Sequence, residues 1–271
     1  MEMEMDTDKL QEADRLVSRL DLGLWAGLPE RHPLVGLFHR FGGIRRLNSA
    51  YNQWAHLESS AFIDEVFGQL DVRLEVAEEE LNRIPKEGPF VLVANHPFGV
   101  LDALALVRLV RRVRPDFKLG VESLLGNTPA LAAAFCVVSE SRQGGQSVSS
   151  AAGWAEASAH VASGGGFGVF PAGGVSGFKM SSRGIADGRW SDAVVGWIEK
   201  QEVPVVPVYI DGANSTLFQL LGLIHPSLRS LRVAAEIRNK KGRVLRMRVG
   251  RALRKRDLAG FTGTAQLARF L

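Results

Sequence analysis

The sequence predicts an α/β protein with a mixed central sheet flanked by helices, preceded by a helical N-terminal region. Three apolar runs carry that prediction: Phe90–Ala94, Phe167–Phe170 and Val203–Ile210. Each is rich in strand formers and empties into a loop of Gly, Pro or Asn. Between them, Leu101–Val110 and Ala151–Ala162 have helical character, so strands and helices alternate along the chain.

At 271 residues the chain suffices for one large domain with an appended helical piece. We place the boundary so that 1–70 form the helical region and 71–271 the α/β domain. With 46% hydrophobic and 23% charged residues, the composition is that of an ordinary globular protein with a sizeable core. The one cysteine, Cys136, sits in the apolar run Ala132–Val138. A single thiol excludes an intramolecular disulfide and a multi-cysteine metal site, fits a reducing compartment, and reads as a small buried hydrophobe. The first six residues, Met1–Asp6, are acidic and precede no apolar segment of the secretory type, so a cytoplasmic location is expected. No window reaches the roughly 18 apolar residues that a membrane-crossing helix needs, so membrane contact is expected to be peripheral.

In chain order, Lys9–Leu22 and Val35–Tyr51 have apolar residues at near-helical spacing, interrupted by the turn-forming stretch around Trp25, Leu28, Pro33 and Leu34. Ala61–Leu70 reads as a further helix and Asp71–Val76 as a strand with one wet face. Phe90–Ala94 then delivers Asn95 and His96 into a loop held extended by Pro97. Asp102 falls near the first turn of the following helix, where the dipole favours a carboxylate. That spacing lets the two side chains meet. A carboxylate accepting one imidazole N–H leaves the other nitrogen free as a general base.

Farther on, Phe117–Val121 reads as a strand and Leu131–Val138 as a helix running into strand. Ser139–Arg142 then enters a polar loop, Gln143–Ser147. The triple glycine Gly164–Gly166 ends the helix Ala151–Ala162; it lacks the context of a nucleotide loop and reads as a helix cap and turn. Phe167–Phe170 leads into Pro171-Ala172-Gly173-Gly174, whose consecutive amides are suited to a phosphate or a developing oxyanion, with Ser176, Lys179 and Arg183 close behind. Leu217–Ile224 is apolar nearly all round and is expected to be a buried helix, the alternative being contact with acyl chains or lipid. From Arg229 to Arg256 twelve basic residues face one acid, Glu236, and account for most of the net charge of +4. Such a block suits an anionic membrane leaflet or an acidic carrier protein; no nucleic-acid-binding signature accompanies it, so nucleic acid is not expected as a partner. Asn239–Arg243 is expected to be a hairpin turn between strands, with Leu245, Met247 and Val249 inward and Arg246 and Arg248 outward.

Three stretches taken together, Asn95-His96-Pro97-Phe98-Gly99-Val100-Leu101-Asp102, Phe170-Pro-Ala-Gly-Gly-Val-Ser176 and Val203-Pro-Val-Val-Pro-Val-Tyr-Ile-Asp-Gly-Ala-Asn214, resemble the glycerolipid and lysophospholipid acyltransferase superfamily. The similarity is greatest to its hemolysin-like bacterial branch and spans roughly Leu81 to Gly250. Five residues separate His96 from Asp102, where the general pattern has four; Gly174 stands where relatives carry Glu. The resemblance implies acyl transfer from a thioester of acyl carrier protein or coenzyme A to a lysolipid hydroxyl, with no cofactor and no metal beyond that co-substrate. It implies His96 as general base and Asp102 as its orienting acid. Asn95, Arg142, Gly173, Gly174, Ser176 and Lys179 would serve the substrates, Arg142 being matched to a basic residue that meets the acceptor's phosphate. It also suggests that the N-terminal helices face a membrane, at the inner surface of the cell membrane. A serine hydrolase is disfavoured because no Gly-x-Ser-x-Gly occurs. A non-catalytic lipid-binding relative stays open on the strength of Gly174.

Overall fold

The computed structural model describes residues 44–258 apart from 127, 142–146, 181–182, 225–227 and 230–231. The expected helix at Lys9–Leu22, the stretch around Trp25 and Arg142 fall outside the described residues. Two helices come first, α1 (Ile44–Trp54) and α2 (Ser59–Leu70). α2 ends where Asp71 turns left-handed, at φ 48°, and its amide returns to Gly68 O. Tyr51, Phe62, Ile63 and Phe67 of these helices are buried in the same apolar core as the sheet.

Ten strands and the remaining helices follow. They are β1 (Arg73–Glu75), α3 (Glu78–Leu81), β2 (Phe90–Ala94), α4 (Val100–Val110), β3 (Lys118–Glu122), α5 (Ser123–Gly126), β4 (Phe135–Ser141) and β5 (Ser147–Ser149). Then come α6 (Ala151–Ala162), β6 (Gly166–Val169), β7 (Gly177–Lys179), β8 (Gly184–Ala186), α7 (Asp192–Gln201) and β9 (Val205–Ile210). The last are α8 (Thr216–Ile224), α9 (Val233–Asn239), β10 (Val244–Val249) and α10 (Lys255–Leu258). Eight strands form one sheet in the order β1-β10-β9-β2-β6-β3-β4-β5, while β7 and β8 pair separately. β9, β2, β6, β3 and β4 run parallel; β10 and β5 are antiparallel to their inner neighbours, so the sheet is mixed, as the sequence predicts.

The central strand β2 is apolar at every position because both its faces are covered. Phe90, Leu92 and Ala94 join one core with α4 and α2 residues, and Val91 and Val93 join a second with Ala157 and Val161 of α6 and Ile198 of α7. Ser150 caps α6 by accepting from Gly153 N at 3.3 Å. The glycines after α6 do form its cap: Gly164, at φ +97°, donates to Val161 O, and Gly165 donates to His160 O. Cys136 is buried, its Sγ 3.3 Å from Gly153 O, and burial, aided by nearby Glu156, pushes the thiol up to about 12, which leaves it inert as a nucleophile.

Three local expectations are corrected. Instead of a helix before β4 there is a single 3-10 turn, Pro129–Leu131, because Pro129 starts it and the chain must enter β4 directly. The segment before Asn239 is the helix α9, so no strand hairpin closes there; β10 instead lies between β1 and β9. Val-Ala-Ala-Glu-Ile is a good helical run once Glu236 and Ile237 have a core to enter. Leu245, Met247 and Val249 are nonetheless inward and Arg246 and Arg248 outward. The third correction concerns α8, expected to be buried. Phe218 and Gln219 are buried, whereas Leu220 is 52% and Ile224 75% exposed. A helix of nine residues has one face to pack, and an all-round apolar pattern cannot say how many faces find partners. Among the described residues no helix is long and apolar enough to cross a membrane.

Candidate active site

The carboxyl ends of parallel strands are where loops of an α/β sheet converge, and β2, β6 and β9 end side by side. Asn95, the first residue beyond β2, ties two of these exits together. Its amide donates to Ile210 O at 2.8 Å and its oxygen accepts from Ile210 N at 2.6 Å, so both polar atoms are committed to the end of β9. His96 follows, then a turn at Gly99 with φ +79°; a Cβ there would sit 3.2 Å from Val175 Cγ2, so the position favours glycine twice over. α4 begins immediately afterwards and carries Asp102 in its first turn.

Asp102 is fully buried. Its Oδ2 accepts from Phe98 N at 2.7 Å and Gly99 N at 2.9 Å, and lies 3.1 Å from His96 Nδ1. The imidazole N–H is not squarely aimed at that oxygen, so the contact is a close charge-and-dipole pairing rather than a straight hydrogen bond. Asp102 Oδ1 is buried and meets no hydrogen-bond partner among the described residues. Burial raises the Asp102 carboxyl above its ordinary value, against the opposing pull of His96 and the two amides.

The imidazole stacks on Phe170 with ring centroids 3.9 Å apart and a 28° tilt. The His96 backbone is clamped from the other side. His96 N donates to Asp187 Oδ1 at 3.1 Å, His96 O accepts from Ser176 N at 2.8 Å, and the buried Ser176 Oγ donates to the same Asp187 oxygen. Ser176 thus positions the loop. Gly173 makes the turn after Phe170, at φ +68°, and donates its amide to Phe170 O, which removes one of the two expected amides from any anion nest. Gly174 is exposed, with open space where a Cβ would project. Lys179 is exposed on β7, and none of the site's hydrogen bonds reaches it. Among the described residues no group of three or more His, Cys, Asp or Glu could hold a metal ion.

The structure therefore gathers Asn95, His96, Asp102 and Ser176 around one loop. Asp187 and the ring of Phe170 join them without having been expected. Phe170 opens the second of the three family-like stretches, where the sequence marks it only as a strand end; Asp187 follows β8, 91 residues from His96, and no local pattern singles it out.

Fold and ionisable pair together define the class: an α/β protein with a His–Asp pair at the carboxyl edge of a largely parallel sheet. A family model described as acyltransferase matches residues 42–269, and the chain belongs to that acyltransferase family. Among solved structures, it is similar to the 1-acyl-sn-glycerophosphate (LPA) acyltransferase PlsC from Thermotoga maritima, at 15% identity and a TM-score of 0.49, with 93% of this chain and 90% of that chain covered. No curated protein matches the sequence.

Proposed function

We propose that this acyltransferase moves a fatty acyl group from a thioester of acyl carrier protein or coenzyme A to the hydroxyl of a lysolipid, at the inner face of the cell membrane. The observation that carries the mechanism is the 3.1 Å approach of His96 Nδ1 to buried Asp102. With Nδ1 turned to the carboxylate, Nε2 takes the acceptor's hydroxyl proton while the oxygen attacks the thioester carbonyl. The C–S bond then breaks, and the imidazolium returns the proton to the departing thiolate. Asp102 orients the ring and stabilises its protonated form, Phe170 supports it from below, and Ser176 with Asp187 fixes the loop's backbone. Incubation of the purified protein with acyl-thioesters and a panel of lysolipids, read by mass spectrometry of the products, tests the reading. Absence of any acylated lipid from every pairing would overturn it.

The second loop sets the acceptor. Gly174 has neither a left-handed φ nor a neighbour that a side chain would strike. Gly174→Glu is therefore expected to leave the melting temperature unchanged. A carboxylate there repels phosphate-bearing acceptors and accepts hydrogen bonds from hydroxyls or amines, so rates on the former should fall by roughly tenfold relative to the latter. An unchanged order of acceptors places Gly174 outside the acceptor site.

Membrane association should combine exposed leucines of α8 with the exposed Arg248, Arg251 and Arg254. Flotation with anionic liposomes is expected to succeed at low salt and weaken as salt rises, since exposed charges are screened over about 8–10 Å near physiological ionic strength. Equal flotation with neutral and anionic liposomes would remove the basic residues from the account.

A further inference from the structure

One strand away from His96, at the carboxyl end of β9, lies a cavity of about 370 Å³. Phe98 forms one wall; Asn239 at the end of α9, with Lys240 and Arg243 in the turn that follows, forms another, and Asp211 just past β9 and Arg246 on β10 lie beneath. The catalytic loop and the cavity share a wall. The Phe98 amide is bonded to Asp102, its ring lies 5.0 Å from Lys240 Nζ, and the Asp102 carboxyl is felt at Lys240.

The lining carries three cations against one acid, and of the three only Arg246 has a carboxylate just outside the lining on the strand side, Glu75 at 3.4 Å, so Lys240 and Arg243 carry the surplus. Lys240 is only 7% exposed, and a buried ammonium needs counter-charge. Glu236 supplies part of it at 3.3 Å, but the same carboxylate accepts from Ser215 N at 3.0 Å and from Ser215 Oγ, and stands 3.5 Å from Arg232 Nε. One carboxylate is thus shared between two cations, while exposed Arg243 adds repulsion to Lys240 from the cavity side. Gly212 is packed so closely on Phe98 that a Cβ there would lie 2.4 Å from the ring, so a side chain larger than glycine does not fit at this wall. Positive charge at a preformed cavity, partly out of water, is chemistry for a multivalent oxyanion. The volume is at the small end of ligand pockets and exceeds what a bare phosphate fills, which leaves room for the arm bearing it.

We propose that this cavity is a phosphate-ester subsite, in which Lys240, Arg243 and Asn239 hold the phosphate of a substrate whose reacting atom lies at His96. The proposal rests on the acyl-transfer reading above, in which two substrates carry such an ester: the donor, through its phosphopantetheine arm, and a lysophospholipid acceptor. Asp211 at the floor is placed to accept a hydrogen bond from an amide or hydroxyl of the attached arm.

The test uses the full chain and Arg243→Glu, with Arg243→Ala beside it. Arg243 is exposed and its ties to the fold are backbone ones, its carbonyl accepting from Arg73 N and its amide donating to Lys240 O, so the variants should melt with the wild type. Calorimetric titration with 4′-phosphopantetheine and with glycerol 3-phosphate is expected to show binding of one of them to the wild type. That affinity should fall by about tenfold or more in Arg243→Glu, the usual weight of a charge-assisted hydrogen bond. Pantetheine without its phosphate should show a much smaller difference between the two proteins. Loss with 4′-phosphopantetheine, matched by a higher KM for the donor at nearly constant kcat, assigns the subsite to the donor. Loss with glycerol 3-phosphate, matched by a higher KM for the acceptor, assigns it to the acceptor. If the wild type binds neither probe, or Arg243→Glu binds both as the wild type does, the subsite is overturned. Binding that depends on Arg243 in a protein that transfers no acyl group from any thioester would keep the subsite and overturn the reaction instead.

Discussion

His96→Ala is expected to lower the rate of acyl transfer by about 10²–10⁴-fold, the usual contribution of a positioned general base. The side chain lies in a loop and packs on Phe170 alone among aromatic rings described, so its loss should shift the melting temperature little. The clamp on the loop uses the backbone of residue 96, which alanine retains: Asp187 still receives the amide and Ser176 still donates to the carbonyl. Added imidazole is expected to restore part of the rate, which a merely structural histidine would not permit. A purified His96→Ala protein that transfers at the wild-type rate would end the general-base account.

Asp102→Asn should separate activity from stability. An asparagine oxygen still accepts from the amides of Phe98 and Gly99, so the turn into α4 survives. Its charge is gone, and its NH₂ can face Nδ1, which inverts the partner the imidazole requires; the rate is expected to fall by about 10²–10⁴-fold. Stability should move the other way as pH rises. The native Asp102 carboxyl is raised above its ordinary 3.8 by burial, so the folded state holds the proton more tightly than the unfolded chain does. Its contribution is therefore complete below 3.8 and is lost as pH rises through the folded value. Asparagine has no proton to lose. The melting temperature of Asp102→Asn minus that of the wild type should thus be larger at pH 8 than at pH 4. A difference that shrinks with pH would mean that the carboxylate stabilises the fold it is buried in.

The pair was legible because everything that brings it together is local. A strand ending at Ala94, a proline, a glycine and the first turn of a helix suffice to fold His96 towards Asp102, and each leaves its mark on the sequence. Asp187 and the Asn95–Ile210 tie depend on strands meeting that lie far apart in the chain, and a carboxylate beyond a short hairpin has no periodicity to announce it. The same limit governed α8. Its composition shows which residues would be content in a core, while only the arrangement of its neighbours decides that Leu220 and Ile224 are left outside. α9 was obscured differently, by the alternation of β10 being extended backwards across the Lys-Lys-Gly turn. The helical run before that turn has its own propensity and its own buried carboxylate.

The position of β10 between β1 and β9 has a consequence for how the molecule is made. Glu75 of β1 lies beside Arg246 of β10, its neighbour in the sheet but 171 residues later in the chain. On a ribosome working at about 5–20 residues per second, β1 waits on the order of 10–30 s for that neighbour. Once β9 has been made, it too is an open edge until β10 arrives, with unpaired amides of the kind that other strands can add to. The last long strand to be synthesised is therefore the one that seals the sheet. It also supplies part of the floor beneath Lys240 and Arg243. A nascent chain can already contain His96, Asp102 and Asp187, yet the cavity beside them does not exist until β10 has slid into place.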